Sequence, residues 1–333
     1  MKSILRVSKP LARYGSALFG LAVRARGTAY DTGLFPVRRV DGIKVISVGN
    51  LRVGGSGKTP FSMYIAARLR DAGQKTALLY RGYRGRLEAG GGLVSAGDGP
   101  LVSWKDAGDE AYLAAERLKA VSVWVGEDRV ASAQHALDAG AEVAVMDDGF
   151  QHRRLYRDLD ILLVCPEDLA NETSLLPAGP LREPASAVSR ADLTVGFASD
   201  WKGHTGAPEV LIDYLPTSLV HLSGTTAGLE SYRNARAYLV AGLGRPRRFQ
   251  ATAREAGFNV VGTTDFRDHH FYENQDARNI SQRAKATRAD LILTTEKDAV
   301  RMAGLQLDLP VSALRIDVRL SSGAELLRSK IGW

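Results

Sequence analysis

The chain has 333 residues, of which 45% are hydrophobic and 24% are charged, so it is globular in composition and long enough for about two domains with buried cores. Its single cysteine, Cys165, excludes an internal disulfide framework and a multi-cysteine metal site, and its apolar surroundings indicate a core position. The formal net charge of +7 favours anionic partners but is too small to identify one.

The first 28 residues form a basic amphipathic segment. Apolar residues recur near the helical period, and basic residues alone carry charge before the first acid, Asp31. The apolar runs are much shorter than the ~20 residues that span a bilayer, and no signal-peptide cleavage pattern follows them. The segment therefore predicts a helix that either lies on an anionic membrane surface or packs on its own domain. Its basic residues are Lys2, Arg6, Lys9, Arg13, Arg24 and Arg26.

A glycine-rich turn follows a short β-branched strand that begins near Ile46, and the residues 61–69 after it are apolar at helical spacing. Backbone N–H groups in such a turn, with the dipole of the following helix, bind phosphates. We expect Lys58 to reach the β- and γ-phosphates of ATP and the Thr59 hydroxyl to hold Mg²⁺. Arg52 stands where a strict P-loop has glycine, so paired glycines must open the turn instead. The predicted nucleotide-binding residues are Arg52, Val53, Gly54, Gly55, Ser56, Gly57, Lys58 and Thr59.

Two acidic pairs are candidates for metal binding or catalysis. Asp147 and Asp148 end an apolar strand, where Mg²⁺ beside a P-loop takes its carboxylates. Asp109 and Glu110 open a predicted helix, where acids either interact with the helix dipole or lie near the phosphates. In the second case Glu110 joins Thr59, Asp147 and Asp148 as a predicted metal ligand.

Other polar residues at predicted strand ends and loops are weaker candidates. Arg81 follows a strand beside glycines, and Arg182 lies in the proline-rich loop 175–184; both suit anionic substrate groups. Gln151 and His152 are further candidate substrate contacts, although an isolated loop histidine is more often solvated or satisfied in the core. Each of these residues can equally have a purely structural place.

The apolar runs predict an α/β protein with a mostly parallel sheet. Residues 86–107 show no clear period and predict a surface excursion, and polar residues at 198–208 predict a domain boundary. Thr295 and Asp298 resemble a capping box, with Lys297 exposed between them. The predicted strands, beyond those above, are 76–80, 121–125, 159–164, 191–195, 237–241, one that runs through Val260 and, as the last, 291–293.

Seven motifs that cover nearly the whole chain resemble those of one family, tetraacyldisaccharide 4′-kinase. The order and the spacing agree as well, and the Asp-Asp-Gly-Phe-Gln-His string is far more specific than a P-loop. The motifs are Val48-Gly-Asn-Leu with Gly54-Gly-Ser-Gly-Lys-Thr-Pro60, Arg81-Gly-Tyr, Gly108-Asp-Glu, Asp147-Asp-Gly-Phe-Gln-His152, Leu176-Pro-Ala-Gly-Pro-Leu-Arg-Glu-Pro184, Asp268-His269 and Thr295-Glu-Lys-Asp298.

The resemblance implies a P-loop kinase on the cytoplasmic face of the inner membrane, bound there peripherally. Such a kinase transfers the γ-phosphate of ATP, with Mg²⁺, to the 4′-hydroxyl of tetraacyldisaccharide 1-phosphate, and the product is lipid IVA. Asp109 would be the base, His269 would orient it, and Lys58 would complete the catalytic set.

The implied organisation is a membrane-docking helix over 1–28, a P-loop NTPase-like core over 29–205 and a smaller α/β lobe over 206–333. The partners are then an acylated phospho-disaccharide lipid and an anionic membrane surface, with no nucleic acid and no required protein partner. One alternative is a soluble small-molecule kinase, which leaves the basic N-terminal segment unexplained. The other is a membrane-associated P-loop ATPase switch that acts on a protein. Such switches carry a lysine before the paired glycines, where this chain has Val53.

Overall fold

The computed structural model describes residues 9–54, 57–170, 173–244 and 246–333. Gly55 and Ser56 of the predicted phosphate turn lie outside the described residues, as do Lys2 and Arg6 of the basic segment. Predictions that fall on these four residues therefore remain predictions.

Within the described residues, thirteen strands form one mixed, mostly parallel sheet, which confirms the α/β fold. The strands are β1 (Lys44–Asn50), β2 (Thr76–Tyr80), β3 (Gly92–Ser95), β4 (Val121–Val125), β5 (Val143–Asp147), β6 (Leu159–Leu163), β7 (Leu193–Phe197), β8 (Val210–His221), β9 (Thr226–Gly228), β10 (Arg236–Ala241), β11 (Asn259–Asp265), β12 (Leu291–Thr295) and β13 (Val311–Ser322). Their order is β11-β10-β12-β13-β8-β7-β6-β1-β5-β2-β4-β3, and β9 pairs with β8.

The position of β1 locates the site. It pairs in parallel with β5 on one side and with β6 on the other, and Val48 lies opposite Asp147. Because the carboxyl ends of parallel strands meet at one edge, the glycine-rich turn after β1 and the acidic pair after β5 lie side by side.

Helices cover both faces of this part of the sheet. Alternate residues of β5 point to opposite faces: Val145 packs in the core cluster of α2 and α4, and Met146 packs in the cluster of α5. The helices are α1 (Lys9–Asp31), α2 (Lys58–Asp71), α3 (Trp104–Ala107), α4 (Asp109–Arg117), α5 (Arg129–Asp138), α6 (Pro166–Leu169), α7 (Ala198–Trp201), α8 (Pro246–Glu255), α9 (Asn274–Ala286), α10 (Glu296–Met302) and α11 (Ala324–Ile331).

Helix α1 packs on the chain with one face and exposes another. Ser16 donates a hydrogen bond to the carbonyl of Leu175 at 2.8 Å, in the proline-rich loop. Tyr14, Leu18 and Leu21, spaced by four and three residues, are 63–73% exposed. In the described part of the chain, no helix combines the length and the apolar character that a membrane span requires.

Two sequence predictions about the elements are wrong. Residues 86–107 include β3 and α3, because a short edge strand pairs antiparallel with β4. Residues 291–293 are not the last strand, since β13 and α11 follow. β8 and β13 are only partly buried, so neither shows the continuous apolar run by which buried strands were recognised.

The sheet continues across the predicted boundary near residue 205. β8 pairs in parallel with β7 and antiparallel with β13. Leu327 and Ile331 of α11 are buried in the core cluster that also contains α2. The C-terminal helix thus packs against the core that positions the phosphate turn.

Candidate active site

The turn after β1 ends at Gly57, directly before α2. Gly57 has a left-handed φ of 78°, which favours glycine. An added Cβ would also lie 2.8 Å from ring carbons of both Phe197 and Tyr214, so a side chain does not fit. Helix α2 begins at Lys58, directly after this glycine, so the positive end of its dipole faces the turn, which favours anion binding.

Lys58 is held at this edge of the sheet by polar neighbours. Its Nζ donates a hydrogen bond to Asn50 Oδ1 at 2.9 Å and lies 3.3 Å from Asp148 Oδ1. Arg182 contacts the same two residues, with Nη2 2.5 Å from Asn50 Oδ1 and 2.7 Å from Asp148 Oδ1. Burial opposes ionisation, but Lys58 and Arg182 hold the pKa of Asp148 well below its ordinary value.

Asp147 faces α2. Its carboxylate accepts hydrogen bonds from Thr59 Oγ1 at 3.0 Å and from Ser62 Oγ at 2.6 Å. Burial, followed by the charge of Glu110, raises the pKa of Asp147 to about 6. Asp148 has a left-handed φ of 53°. The two adjacent carboxylates therefore have different partners: Asp147 contacts hydroxyl groups of α2, and Asp148 contacts Lys58 and Arg182.

The predicted base and its predicted partner are in contact. His269 Nδ1 lies 3.1 Å from Asp109 Oδ2, although 160 residues separate them in the sequence. Asp109 begins α4, and His269 lies in the turn after β11 with a φ of 56°. Burial would raise the pKa of Asp109, but the hydrogen bond to His269 and the charges of Lys297 and Arg301 outweigh burial and lower it.

Lys297 is not exposed, and that prediction is wrong. Its side chain is 17% exposed because α10 packs against α4. Nζ lies 3.1 Å from Glu110 Oε1, 3.5 Å from Asp268 Oδ1 and 3.1 Å from His269 Nε2. Burial would lower the pKa of Lys297, but Glu110, Asp109 and Asp268 raise it well above its ordinary value.

A buried polar cluster anchors α10. Thr295 Oγ1 accepts a hydrogen bond from the Asp298 N–H at 3.1 Å, so it caps the helix as predicted. Asp298 does not complete the predicted capping box, because its carboxylate accepts hydrogen bonds from a backbone N–H outside the helix and from Tyr272. Asp298 also pairs with Arg301 at 2.5 Å, and Arg301 Nε lies 3.5 Å from Asp109 Oδ2.

The residues that open the turn are held from the side. Arg52 has an 11% exposed side chain whose Nε lies 2.5 Å from Asp168 Oδ1 in α6. The Val53 N–H donates a hydrogen bond to the Pro180 carbonyl at 2.9 Å, and Gly54 has a φ of 92°. The side chain at the missing glycine position therefore ties the turn to α6.

The weaker candidates have different surroundings. Arg81 is 56% exposed and lies 2.7 Å from Glu88. Gln151 Nε2 donates a hydrogen bond to the carbonyl at the end of β1 at 2.9 Å. Burial, followed by the charge of Arg129, lowers the pKa of His152 to about 4, so the imidazole is neutral at neutral pH. Together with Arg182, Gln151 borders the phosphate turn.

Asp109 and His269 line a small opening with aromatic walls. Tyr83, Trp104 and Phe271 form the other sides. The ring of Tyr83 meets His269 edge-on at 5.2 Å, and the rings of Trp104 and Phe271 lie 5.5 Å apart. Neither Trp104 nor Phe271 belongs to a predicted motif; the only local signal is that Phe271 follows the histidine motif closely.

The chain is similar to proteins of one activity. The family model described as "Tetraacyldisaccharide-1-P 4'-kinase" matches residues 9–331. Curated relatives named tetraacyldisaccharide 4′-kinase include one from Anaeromyxobacter dehalogenans strain 2CP-C, 37% identical over 95% of this chain and 88% of that protein. Another, from Geobacter sulfurreducens, is 39% identical over 91% of this chain and 87% of that protein.

A solved structure is similar in fold along nearly the whole chain. It is LpxK from Aquifex aeolicus, crystallised in complex with ATP. The two chains are 34% identical, with a TM-score of 0.78, and the match covers 96% of this chain and 97% of the other.

Proposed function

This chain belongs to the tetraacyldisaccharide-1-P 4′-kinase family, and we propose that it transfers the γ-phosphate of ATP to the 4′-hydroxyl of a tetraacyldisaccharide 1-phosphate, which gives lipid IVA. The carrying observation is the contact of Asp109 with His269 at 3.1 Å. The charge of Glu110 raises the pKa of Asp147, which supports the proposal that the two acidic pairs belong to one site.

The phosphate side of the site suits ATP. Lys58 and Arg182 supply cations, and α2 directs the positive end of its dipole toward the turn. Asn50 Nδ2 and Arg182 Nε are buried donors that have no hydrogen-bond partner among the described residues. Donors of this kind are available to a polyanion without the loss of existing hydrogen bonds. Gly55, Ser56 and the backbone of 52–54 would complete the turn around the phosphates.

The oxygen donors fit Mg²⁺. Thr59 and Asp147 already meet at 3.0 Å, and Asp148 and Glu110 are the further candidate ligands. The described residues include no group of three or more His, Cys, Asp or Glu side chains arranged as a preformed metal site. Mg²⁺ usually keeps waters and substrate phosphates as ligands, so a few protein oxygen donors are sufficient to bind it. When bound, the ion would neutralise charge on the phosphates.

Asp109 would act on the acceptor side. As the acceptor oxygen bonds to the γ-phosphorus, the bond from phosphorus to the β–γ bridging oxygen breaks, ADP leaves, and the hydroxyl proton passes to Asp109. Because the pKa of this carboxyl is lowered, it takes the proton only as the transition state forms. Arg81, Gln151, His152 and Arg182 are candidate contacts for the anionic acceptor.

The fate of the ³²P label of [γ-³²P]ATP tests this function. We expect the label to appear in the lipid when detergent-dispersed acceptor is supplied. The ATPase switch, which the kinase identity of the relatives does not favour, would release it as inorganic phosphate in the presence or absence of lipid. Label that appears only in inorganic phosphate, across several detergents, would refute the kinase proposal.

We further propose that α1 docks the enzyme peripherally on the anionic cytoplasmic face of the inner membrane. The support is its exposed apolar face, which includes Leu18 and Leu21, among basic residues. A chain that begins near residue 28, and the double substitution Leu18→Ser with Leu21→Ser, should sediment less with anionic vesicles. Leu101→Ser, at a residue that is 64% exposed elsewhere, is the matched control. Equal sedimentation of all four proteins would refute docking through α1.

A further inference from the structure

Helix α10 presents a lysine to the imidazole beside the proposed base. Lys297 Nζ lies 3.1 Å from His269 Nε2, and His269 Nδ1 lies 3.1 Å from Asp109 Oδ2. The exposed fractions of the three side chains are 17%, 18% and 6%. The imidazole therefore bridges an ammonium group and a carboxylate, away from bulk water.

This bridge determines which ring nitrogen carries hydrogen. An ammonium group has three donors and no acceptor, whereas a carboxylate has only acceptors. His269 Nε2 must therefore accept from Lys297, and Nδ1 must donate to Asp109. The other tautomer would set N–H against the ammonium group and a lone pair against the carboxylate, and both hydrogen bonds would be lost.

We propose that Lys297 is a positioning residue that acts through His269: it fixes the Nδ1–H tautomer, which in turn orients the Asp109 carboxylate toward the acceptor hydroxyl. Asp109 uses Oδ2 for its contacts with His269 and Arg301, and Oδ1 is the oxygen that receives the hydroxyl proton. The inference rests on the phosphoryl transfer proposed above.

The neighbours of Lys297 hold its ammonium group in place for this role. Glu110 Oε1 lies 3.1 Å and Asp268 Oδ1 lies 3.5 Å from Nζ. Lys297 is the second residue of α10. The first residue, Glu296, forms ion pairs with Arg117 and Arg315. The helix is thus fixed relative to α4, and the lysine of the Thr-Glu-Lys-Asp motif reaches the imidazole of the Asp-His motif.

Lys297→Met is the first test, because it removes the donors and keeps an unbranched side chain of similar size. We expect kcat to fall about 10²-fold, the scale of general-base assistance, with little change in the KM for ATP. Lys297→Arg, which keeps N–H donors, should recover part of the turnover. Lys285→Met is the matched control, since Lys285 pairs with Asp308 at an exposed site. An unchanged kcat in Lys297→Met would overturn the proposal.

A double substitution separates this role from other roles of Lys297. His269→Asn places an amide N–H where Nδ1–H was, but offers no counterpart of Nε2. In the His269→Asn background, Lys297→Met should therefore change kcat less than about twofold. The same fold-loss in both backgrounds would show that Lys297 acts through Glu110, through Asp268 or directly on Asp109, whose Oδ2 lies 4.0 Å from Nζ, and would overturn the proposal.

The tautomer can also be read without turnover. Two-bond ¹H–¹⁵N spectra of ¹⁵N-histidine-labelled wild-type protein, with the His269 signal identified by its loss in His269→Asn, should show hydrogen on Nδ1 alone. Hydrogen on Nε2 would overturn the proposal even if the lipid is phosphorylated. Hydrogen on Nδ1 alone, without lipid phosphorylation, would refute the proposed reaction and leave the tautomer assignment intact.

Discussion

Replacing Asp298 by alanine removes the acceptor at the centre of the buried cluster below α10. The carboxylate is fully buried and accepts hydrogen bonds from the Gly242 N–H at 3.1 Å and from Tyr272 at 2.8 Å. It also pairs with Arg301, whose side chain is 1% exposed. Loss of Asp298 leaves Arg301 with only the longer ion pair to Asp109 at 3.5 Å, and breaking a buried pair costs about 3–5 kcal/mol of unfolding free energy.

This cost predicts a measurable shift in melting temperature. With an unfolding entropy of about 2.1 cal/mol/K per residue, 333 residues that unfold together give roughly 0.7 kcal/mol/K, so a loss of about 4 kcal/mol lowers Tm by about 6 °C. Asp308→Ala is the control, because its pair with Lys285 is 57% exposed and should change Tm by less than about 1 °C. Thermal unfolding followed by circular dichroism measures both. If Asp298→Ala melts within about 1 °C of the control, the cluster does not anchor α10.

Three further predictions concern the site itself. Asp109→Asn and His269→Ala should each lower kcat by at least about 10²-fold while ATP affinity, measured by titration, persists; unchanged turnover in either removes that residue from the mechanism. Gly49→Ala should cost about 1–3 kcal/mol in urea unfolding, because the new Cβ would lie 2.4 Å from Phe150 Cβ; a wild-type midpoint would contradict the packing. Burial and a neighbouring negative charge raise the pKa of Asp147 from 3.8 to about 6, so the folded state holds this proton more tightly than the unfolded state. Stability of the metal- and nucleotide-free protein, measured by urea unfolding, should then decline by up to about 3 kcal/mol as pH rises from 4 to 7, and less so in Asp147→Asn; parallel pH profiles would refute this.

Local patterns were sufficient for the strands and the helix around the proposed phosphate site. The strand before the turn, the helix after it and the strand that ends at Asp147 are each continuous in the sequence and strongly buried. Their apolar periods therefore predict them, and parallel pairing brings their ends together. The proposed acceptor side depends on a contact between α4 and the turn after β11, which are 160 residues apart in the sequence. The spacing of apolar residues does not predict a contact of this kind. There the resemblance to a family, rather than the residue pattern, indicated His269.

Partly buried elements were the ones that sequence patterns missed. β8 contains Pro216 and alternates between buried and half-exposed residues, so it does not resemble the central strands. Lys297 appeared exposed because a single charged residue near a helix start usually is, whereas the packing of α10 on α4 encloses it among three acids. Ion pairs that form through tertiary packing cannot be predicted from the spacing of residues in the sequence.

Product analysis with the acylated disaccharide is the decisive test of the proposed 4′-kinase activity. Purified protein, Mg-ATP and detergent-dispersed tetraacyldisaccharide 1-phosphate are incubated, and the lipid is analysed by fragmentation mass spectrometry. We expect one added phosphate at the 4′ position with the wild-type protein, and at least about 10²-fold less of this product in the same time with Asp109→Ala, which still binds ATP. Phosphate at another position, or equal 4′-phosphorylated product from Asp109→Ala, would contradict this expectation.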